Sequence, residues 1–227
     1  MVLGSDGNKM TKEEWEALGV QTFGLPSDLY IPIAVADLEA IRTYVGTIQI
    51  LIPGRKRPTN AVVVEVNQPN RSPRVPLWEH GEADQYYQRL HPTRQLWVHV
   101  DYAGYRRAWK RLGFGEISSE VFLDHIKNRE AVRLGGYRHQ FLRLCTVSRG
   151  TNTSSGLNNG AEGMEKTELR KMRQNPVHNG LQAERTFNAP VILADPVDLT
   201  KMLDIPTGLY ELQGVASMLK QYYDKDD

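Results

Sequence analysis

Some segments of the chain have hydrophobic positions at helical spacing and others have a pattern typical of strands, so the sequence predicts several short secondary-structure elements. Across residues 35–45 the apolar side chains recur every three or four positions, which predicts an amphipathic helix. Across residues 47–52 and 61–66 β-branched side chains follow one another instead, which predicts two strands. Residues 95–100 alternate between apolar and polar side chains and predict a third strand.

The stretch around which the chain is organised runs from Trp97 to Arg149, and the pattern predicts another helix at its centre, residues 102–112. Tyr105, Trp109 and Leu112 fall on one stripe at helical spacing, so we expect them to face a core. The cations of this segment fall on the flanks of the stripe, where Arg106 pairs with Lys110 and Arg107 with Arg111 at i,i+4 spacing. Such a helix is anchored by its aromatic residues and cationic on its outer side.

The pattern predicts three more elements further along. Residues 118–126 have a serine cap followed by apolar side chains at helical spacing, which predicts a helix. Gly135 and Gly136 either break the following segment into two pieces or allow a close approach of the backbone. The pattern of residues 189–194 predicts a strand or extended segment, and that of residues 209–223 predicts a terminal helix.

These elements predict an α+β fold in which helices dominate and the strands are few and short. The chain then divides into a flexible leader (1–10), a mixed body (11–147), a flexible polar loop dotted with glycine (148–163) and a helical C-terminal segment (164–227). A chain of 227 residues is long enough to build one sizeable core.

The distribution of charge is more informative than the net charge of +1. Residues 1–53 hold 3 Lys or Arg against 7 Asp or Glu, residues 54–175 hold 21 against 12, and residues 176–227 hold 4 against 8. A basic middle between two acidic ends is typical of a protein that binds an acidic polymer centrally and meets neighbouring copies with its ends. Chance clustering on a solvated surface is the alternative explanation.

The middle part therefore predicts a surface for a polyanion, most simply RNA. Each cation that neutralises a phosphate releases counterions and adds affinity that does not depend on base sequence. The loop at residues 54–58 is a compact cationic cluster framed by glycine, although it lacks the Gly-Lys-Ser/Thr of a Walker loop. The predicted nucleic-acid-binding residues are Arg55, Lys56, Arg57, Tyr102, Arg106, Arg107, Lys110, Arg111, Arg129, Arg133, Arg138 and Arg143.

Motifs of known catalytic chemistry are missing from the sequence: there is no Gly-x-Ser-x-Gly, His-Glu-x-x-His, Cys-x-x-Cys or Gly-x-Gly-x-x-Gly. We therefore predict no catalytic residue, no metal and no cofactor. A metal-dependent nuclease that uses Glu65 and the acidic residues of 79–84 is the enzymatic alternative, weakened because no lysine stands two positions after Glu65. His99 and Asp101 share a strand face and form either a metal-binding pair or a polar surface pair.

The favoured interpretation is a non-enzymatic protein that binds single-stranded RNA and assembles with copies of itself, like a coat or nucleocapsid protein of a virion. An adaptor whose basic face meets an acidic partner protein is a further alternative. Cys145 is the single cysteine, which excludes an intramolecular disulfide, and no apolar run approaches the length of a membrane span. We expect a cytoplasmic, reducing location, or the virion if the structural-protein interpretation holds.

Overall fold

A curled antiparallel sheet of seven strands dominates the computed structural model of the protein. The structure describes residues 31–66, 90, 92–135, 138–156, 162–163, 166–167, 170–171, 190–194, 198 and 201–204. The strands are β1 (Pro32–Val35), β2 (Gly46–Pro53), β3 (Thr59–Val66), β4 (Arg94–His99), β5 (Val121–His125), β6 (Phe141–Ser148) and β7 (Val191–Leu193). The main helices among the described residues are α1 (Leu38–Tyr44), α2 (Tyr105–Arg111), α3 (Arg129–Gly135) and α4 (Arg149–Gly156).

The prediction of a helix-rich fold with a few short strands is wrong. Strand accounts for 38 % of the structure and helix for 31 %. The clearest error is β5, which lies where the sequence predicts a helix. Its apolar side chains fit a helical spacing, but burial in the structure follows a period of two, with Leu123 and His125 inside. Pairing of the whole strand with the second half of β6 decides the conformation, and this contact is distant in sequence.

The strand order β2-β3-β4-β6-β1-β7 places β6 at the centre of the sheet. Residues 141–143 of β6 pair with the end of β4, whereas residues 144–148 pair with β5. The last described pair between β4 and β6 joins Trp97 to Arg143, and the two strands diverge beyond it. The divergence opens a wedge between residues 94–96 and residues 144–146.

The basic helix forms as the sequence predicts. In α2, Ala108 and Trp109 are buried, while Tyr105 and Leu112 are partly buried and pack against the same hydrophobic cluster. This cluster also holds side chains from β3, β4, β5 and β6, so α2 covers one side of the sheet. The predicted aromatic stripe is therefore confirmed as a core contact.

The first helix is shorter than the pattern predicts because Val35 completes β1. Asp37 then caps α1: its backbone is extended, and its Oδ1 accepts a hydrogen bond of 2.8 Å from the amide of Ala40. The strands predicted across residues 47–52, 61–66 and 95–100 are confirmed as β2, β3 and β4.

The C-terminal part of the chain contributes to the same sheet. The segment predicted to be extended near residue 190 is β7, which pairs with β1. The polar stretch predicted as a loop begins with α4, whose first turn is held by Ser148: its Oγ accepts from the amide of Thr151 at 3.2 Å. The predicted leader and terminal helix lie outside the described residues. Within the described part, no helix has the length and apolar character needed to cross a membrane.

Candidate nucleic-acid interface

The outer side of α2 presents a row of cations. Arg106, Arg107, Lys110 and Arg111 are all exposed, and none of the four forms an ion pair with a described carboxylate. The guanidinium carbon of Arg106 lies 5.9 Å from the ring centroid of Tyr105, a cation–π distance. Lys110 and Arg111 occupy the last helical turn, where positive charge is favoured by the helix dipole.

A tight turn holds the basic loop between β2 and β3. The amide of Gly54 lies 3.4 Å from the carbonyl oxygen of Pro58, and the Asn60 side chain donates to the carbonyl of Pro53 at 3.1 Å. A Cβ at position 54 would stand 2.4 Å from the carbonyl oxygen of Arg57, so the loop requires glycine there. Arg55 and Lys56 are exposed at the tip of this turn.

The third cation of the loop turns back towards the sheet. Nη1 of Arg57 lies 2.8 Å from Nδ1 of His99, and the amide of Asp101 donates to the same nitrogen at 3.1 Å. An imidazole nitrogen that accepts from two donors carries no proton, so His99 is neutral with its proton on Nε2. Burial and the positive charge of Arg57 both lower the pKa of His99, in agreement with this geometry.

Asp101 is held by a cation from another element. Its Oδ1 accepts from Nη2 of Arg133 on α3 at 2.5 Å, and the same Nη2 donates to the carbonyl of Val100. This hydrogen bond from Arg133 is the largest of the effects that lower the pKa of Asp101. Two arginines therefore hold His99 and Asp101 in a network at the surface. The two residues do not form a metal-binding pair.

This network gathers several predicted cations at one end of the sheet. The registers Ala61–Val98 and His99–Phe141 place the start of β3, the end of β4 and the start of β6 at that end. The loop at residues 54–58, α3 and the exposed Arg138 adjoin these strand ends, and α2 begins shortly after β4. We call this region, with the outer side of α2, the cationic surface.

Three other predicted nucleic-acid-binding residues are buried or half-buried in the structure. Arg143 is 2 % exposed and donates from Nη2 to the carbonyl of Leu90 at 2.7 Å, and burial lowers its pKa to about 10. The ring of Tyr102 is half-buried against the α2 cluster and covers Gly104, and Arg129 is half-buried at the start of α3. Arg143 therefore lies inside the molecule and not on the cationic surface.

Sequence reasoning missed a buried charge cluster on β5. Nζ of Lys201 lies 2.6 Å from Oε1 of Glu162 and 2.9 Å from Oδ2 of Asp124, and it donates to the carbonyl of His125 at 2.7 Å. Lys127 and Asp198 form a second buried pair with an N–O distance of 3.9 Å. The members come from distant parts of the chain, so no local motif could have found them.

The residues of the nuclease alternative are not brought together in the described part. Glu65 is exposed, and its Oε2 accepts from Nε2 of Gln49 at 2.7 Å, while residues 79–84 lie outside the described residues. Among the residues that are described, no group of three potential metal ligands is found. Comparison of the chain with protein-family models, with curated proteins and with solved structures gave no match.

Proposed function

We propose that the protein binds single-stranded nucleic acid, RNA in the first instance, through the cationic surface. The observation that carries the proposal is the row of four exposed cations on α2, which have no carboxylate partner among the described residues. Cations that are not engaged with carboxylates keep their full electrostatic attraction for phosphate. The core contacts of Trp109 and Tyr105 fix the helix that carries them.

The dimensions of the surface favour a flexible strand over a duplex. A helix of seven residues is about 10 Å long, enough to follow only a few phosphates. The loop cations Arg55 and Lys56 and the exposed Arg138 belong to separate elements, and a single strand can bend to reach them. Most of the affinity then comes from the phosphate backbone, because the ring of Tyr102 is half-buried and packs inward.

The decisive experiment replaces the four α2 cations with glutamine. Glutamine is preferable to glutamate because acidic side chains in the last turn would oppose the helix dipole and destabilise α2 itself. A matched control replaces four exposed cations elsewhere, Arg42, Arg149, Arg170 and Lys171, and so removes the same total charge.

Affinity for a labelled single-stranded RNA is measured by fluorescence anisotropy over a range of salt concentrations. Loss of four phosphate contacts should reduce the slope of log K against log salt by about 3 for a single strand. The control should keep most of the wild-type slope. An unchanged slope and affinity in a folded α2 variant would refute the assignment of the surface.

The second part of the proposal is assembly with copies of the same chain around the nucleic acid, in the manner of a coat or nucleocapsid protein. Its support is the layout of charge, since the acidic segments 1–53 and 176–227 can meet the basic middle of a neighbour. Particle size and the ratio of absorbance at 260 and 280 nm, before and after RNase, test this part. Large particles that shrink on digestion support it, and a small particle free of RNA contradicts it.

A further inference from the structure

The wedge between β4 and β6 contains an open cavity of about 360 Å³. One wall is the start of β4, with Arg94, Gln95 and Leu96, and the opposite wall is residues 143–146 of β6. The cavity is also lined by Trp109 of α2, by Phe114, and by Met202 and Asp204 from the C-terminal part. A volume of this size suits a small molecule and not only water.

Two nitrogen donors in the side chains of the wall have no partner in the described structure. Nε of Arg143 and Nε1 of Trp109 are buried, and neither donates a hydrogen bond to an acceptor among the described residues. A buried donor without an acceptor destabilises the folded protein. Both donors belong to residues that line the same cavity.

The wall also has aromatic rings and an excess of positive charge. The Trp109 and Phe114 rings lie 4.8 Å apart at 32°, and the Arg94 guanidinium stands 4.5 Å above the Phe114 ring. Arg143 remains protonated at neutral pH because its pKa is lowered only to about 10. The one carboxylate in the wall, Asp204, already accepts from the amide of Ser148 at 2.6 Å.

We propose that this cavity binds a nucleotide, with its base against Trp109 and Phe114 and its phosphate towards Arg94 and Arg143. Rings and guanidinium groups together are the chemistry that recognises an aromatic base joined to an anion. Because Trp109 faces the cavity from the helix that carries the α2 cations, the choice of a nucleotide rests on the proposed function. The ligand is either a free nucleotide or the terminal nucleotide of a strand.

Calorimetric titration of the full chain with adenosine 5′-monophosphate tests the proposal, with adenosine, inorganic phosphate and benzoate as comparison ligands. We expect the nucleotide to bind more tightly than each of the other three. Arg94→Gln removes an exposed side chain, and loss of one charge-assisted hydrogen bond should weaken nucleotide binding by about tenfold. Trp109→Phe keeps a buried ring but removes the N–H, and it should also weaken nucleotide binding. Arg42→Gln should leave nucleotide binding unchanged.

Equal binding of benzoate or phosphate would overturn the proposal, as would nucleotide binding that is indifferent to both Arg94→Gln and Trp109→Phe. Competition by a 5′-phosphorylated oligonucleotide, but not by its 5′-hydroxyl counterpart, would identify a strand end as the ligand, and absence of competition would identify a free nucleotide. RNA binding is measured in parallel. Binding of RNA without the mononucleotide refutes the cavity alone, and binding of the mononucleotide without RNA refutes the proposed function alone.

Discussion

Lys201 and Glu162 form a buried ion pair with an N–O distance of 2.6 Å, although 39 positions separate them in the chain. Both side chains are almost fully buried, and Asp124 of β5 completes the cluster at 2.9 Å from the lysine nitrogen. Burial alone would lower the pKa of Lys201, but the carboxylates of Asp124 and Glu162 raise it above its ordinary value. The lysine therefore stays charged and ties the C-terminal part to the sheet.

Replacing Lys201 with methionine should destabilise the protein strongly. The change leaves the buried Glu162 without its cation, and the loss of one partner of a buried pair costs about 3–5 kcal/mol. Urea denaturation followed by circular dichroism measures the free energy of unfolding. Lys110→Met, at an exposed position, is the matched control and should change it by less than about 0.5 kcal/mol. Equal effects of the two variants would contradict a stabilising role for the cluster.

Acid should weaken the fold through His125. Burial is the main cause that lowers its pKa from 6.5 to about 4, and the ring packs edge-on against Tyr105. The unfolded chain binds this proton more readily than the folded one, so the contribution is complete above pH 6.5 and is lost as the pH falls towards 4. The loss amounts to about 3 kcal/mol at pH 4.

The check is to measure unfolding free energy from pH 7.5 to pH 4 in the wild type and in His125→Gln. The variant should have a shallower pH dependence in this window, because it lacks the titrating ring. If the two curves run parallel, the pH dependence has another source.

Gly54→Ala should disrupt the basic loop. The added Cβ would meet the carbonyl oxygen of Arg57 at 2.4 Å, and backbone cannot move aside without breaking the turn. We expect a loss of about 1–3 kcal/mol of stability together with weaker RNA binding. Gly150→Ala is the control, because its nearest neighbour would lie at 3.9 Å and alanine is favoured in the helix α4. Loss of stability in both variants would argue against the steric explanation.

Cys145 should react slowly with alkylating reagents in the folded protein. Burial raises the pKa of its thiol to about 12, so the reactive thiolate is rare at pH 8. Mass spectrometry after pulsed iodoacetamide treatment, with and without urea, measures the protection. Because Cys145 is the single cysteine, the labelled fraction of the protein measures the reaction of this thiol directly. Rapid labelling without urea would show that the thiol is accessible and its pKa ordinary.

The features predicted correctly from sequence are those that depend on local spacing. The α2 stripe of Tyr105, Trp109 and Leu112 follows from helical periodicity, and β3 from a run of β-branched residues. In β5 the same kind of reasoning failed, because the apolar residues of so short a segment fit either period and pairing with β6 selects the strand.

Arg143 shows why the candidate surface was only partly predictable. Its neighbours Leu142 and Leu144 are buried as well, since the first half of β6 is covered on both faces. An arginine between two leucines is predicted to be exposed on an alternating strand, and only the packing of the folded structure shows that both faces of β6 are buried here. The Lys201 cluster depends in the same way on contacts between distant segments.

The position of β1 between β6 and β7 has a consequence for biosynthesis. Ala34 pairs with both Leu142 and Ile192, so the neighbours of this early strand leave the ribosome long after it does. Strand pairings this distant in sequence make folding slow, and until they form the apolar residues of β1 remain available to other chains. Truncation before residue 191 should therefore yield a chain that aggregates during expression.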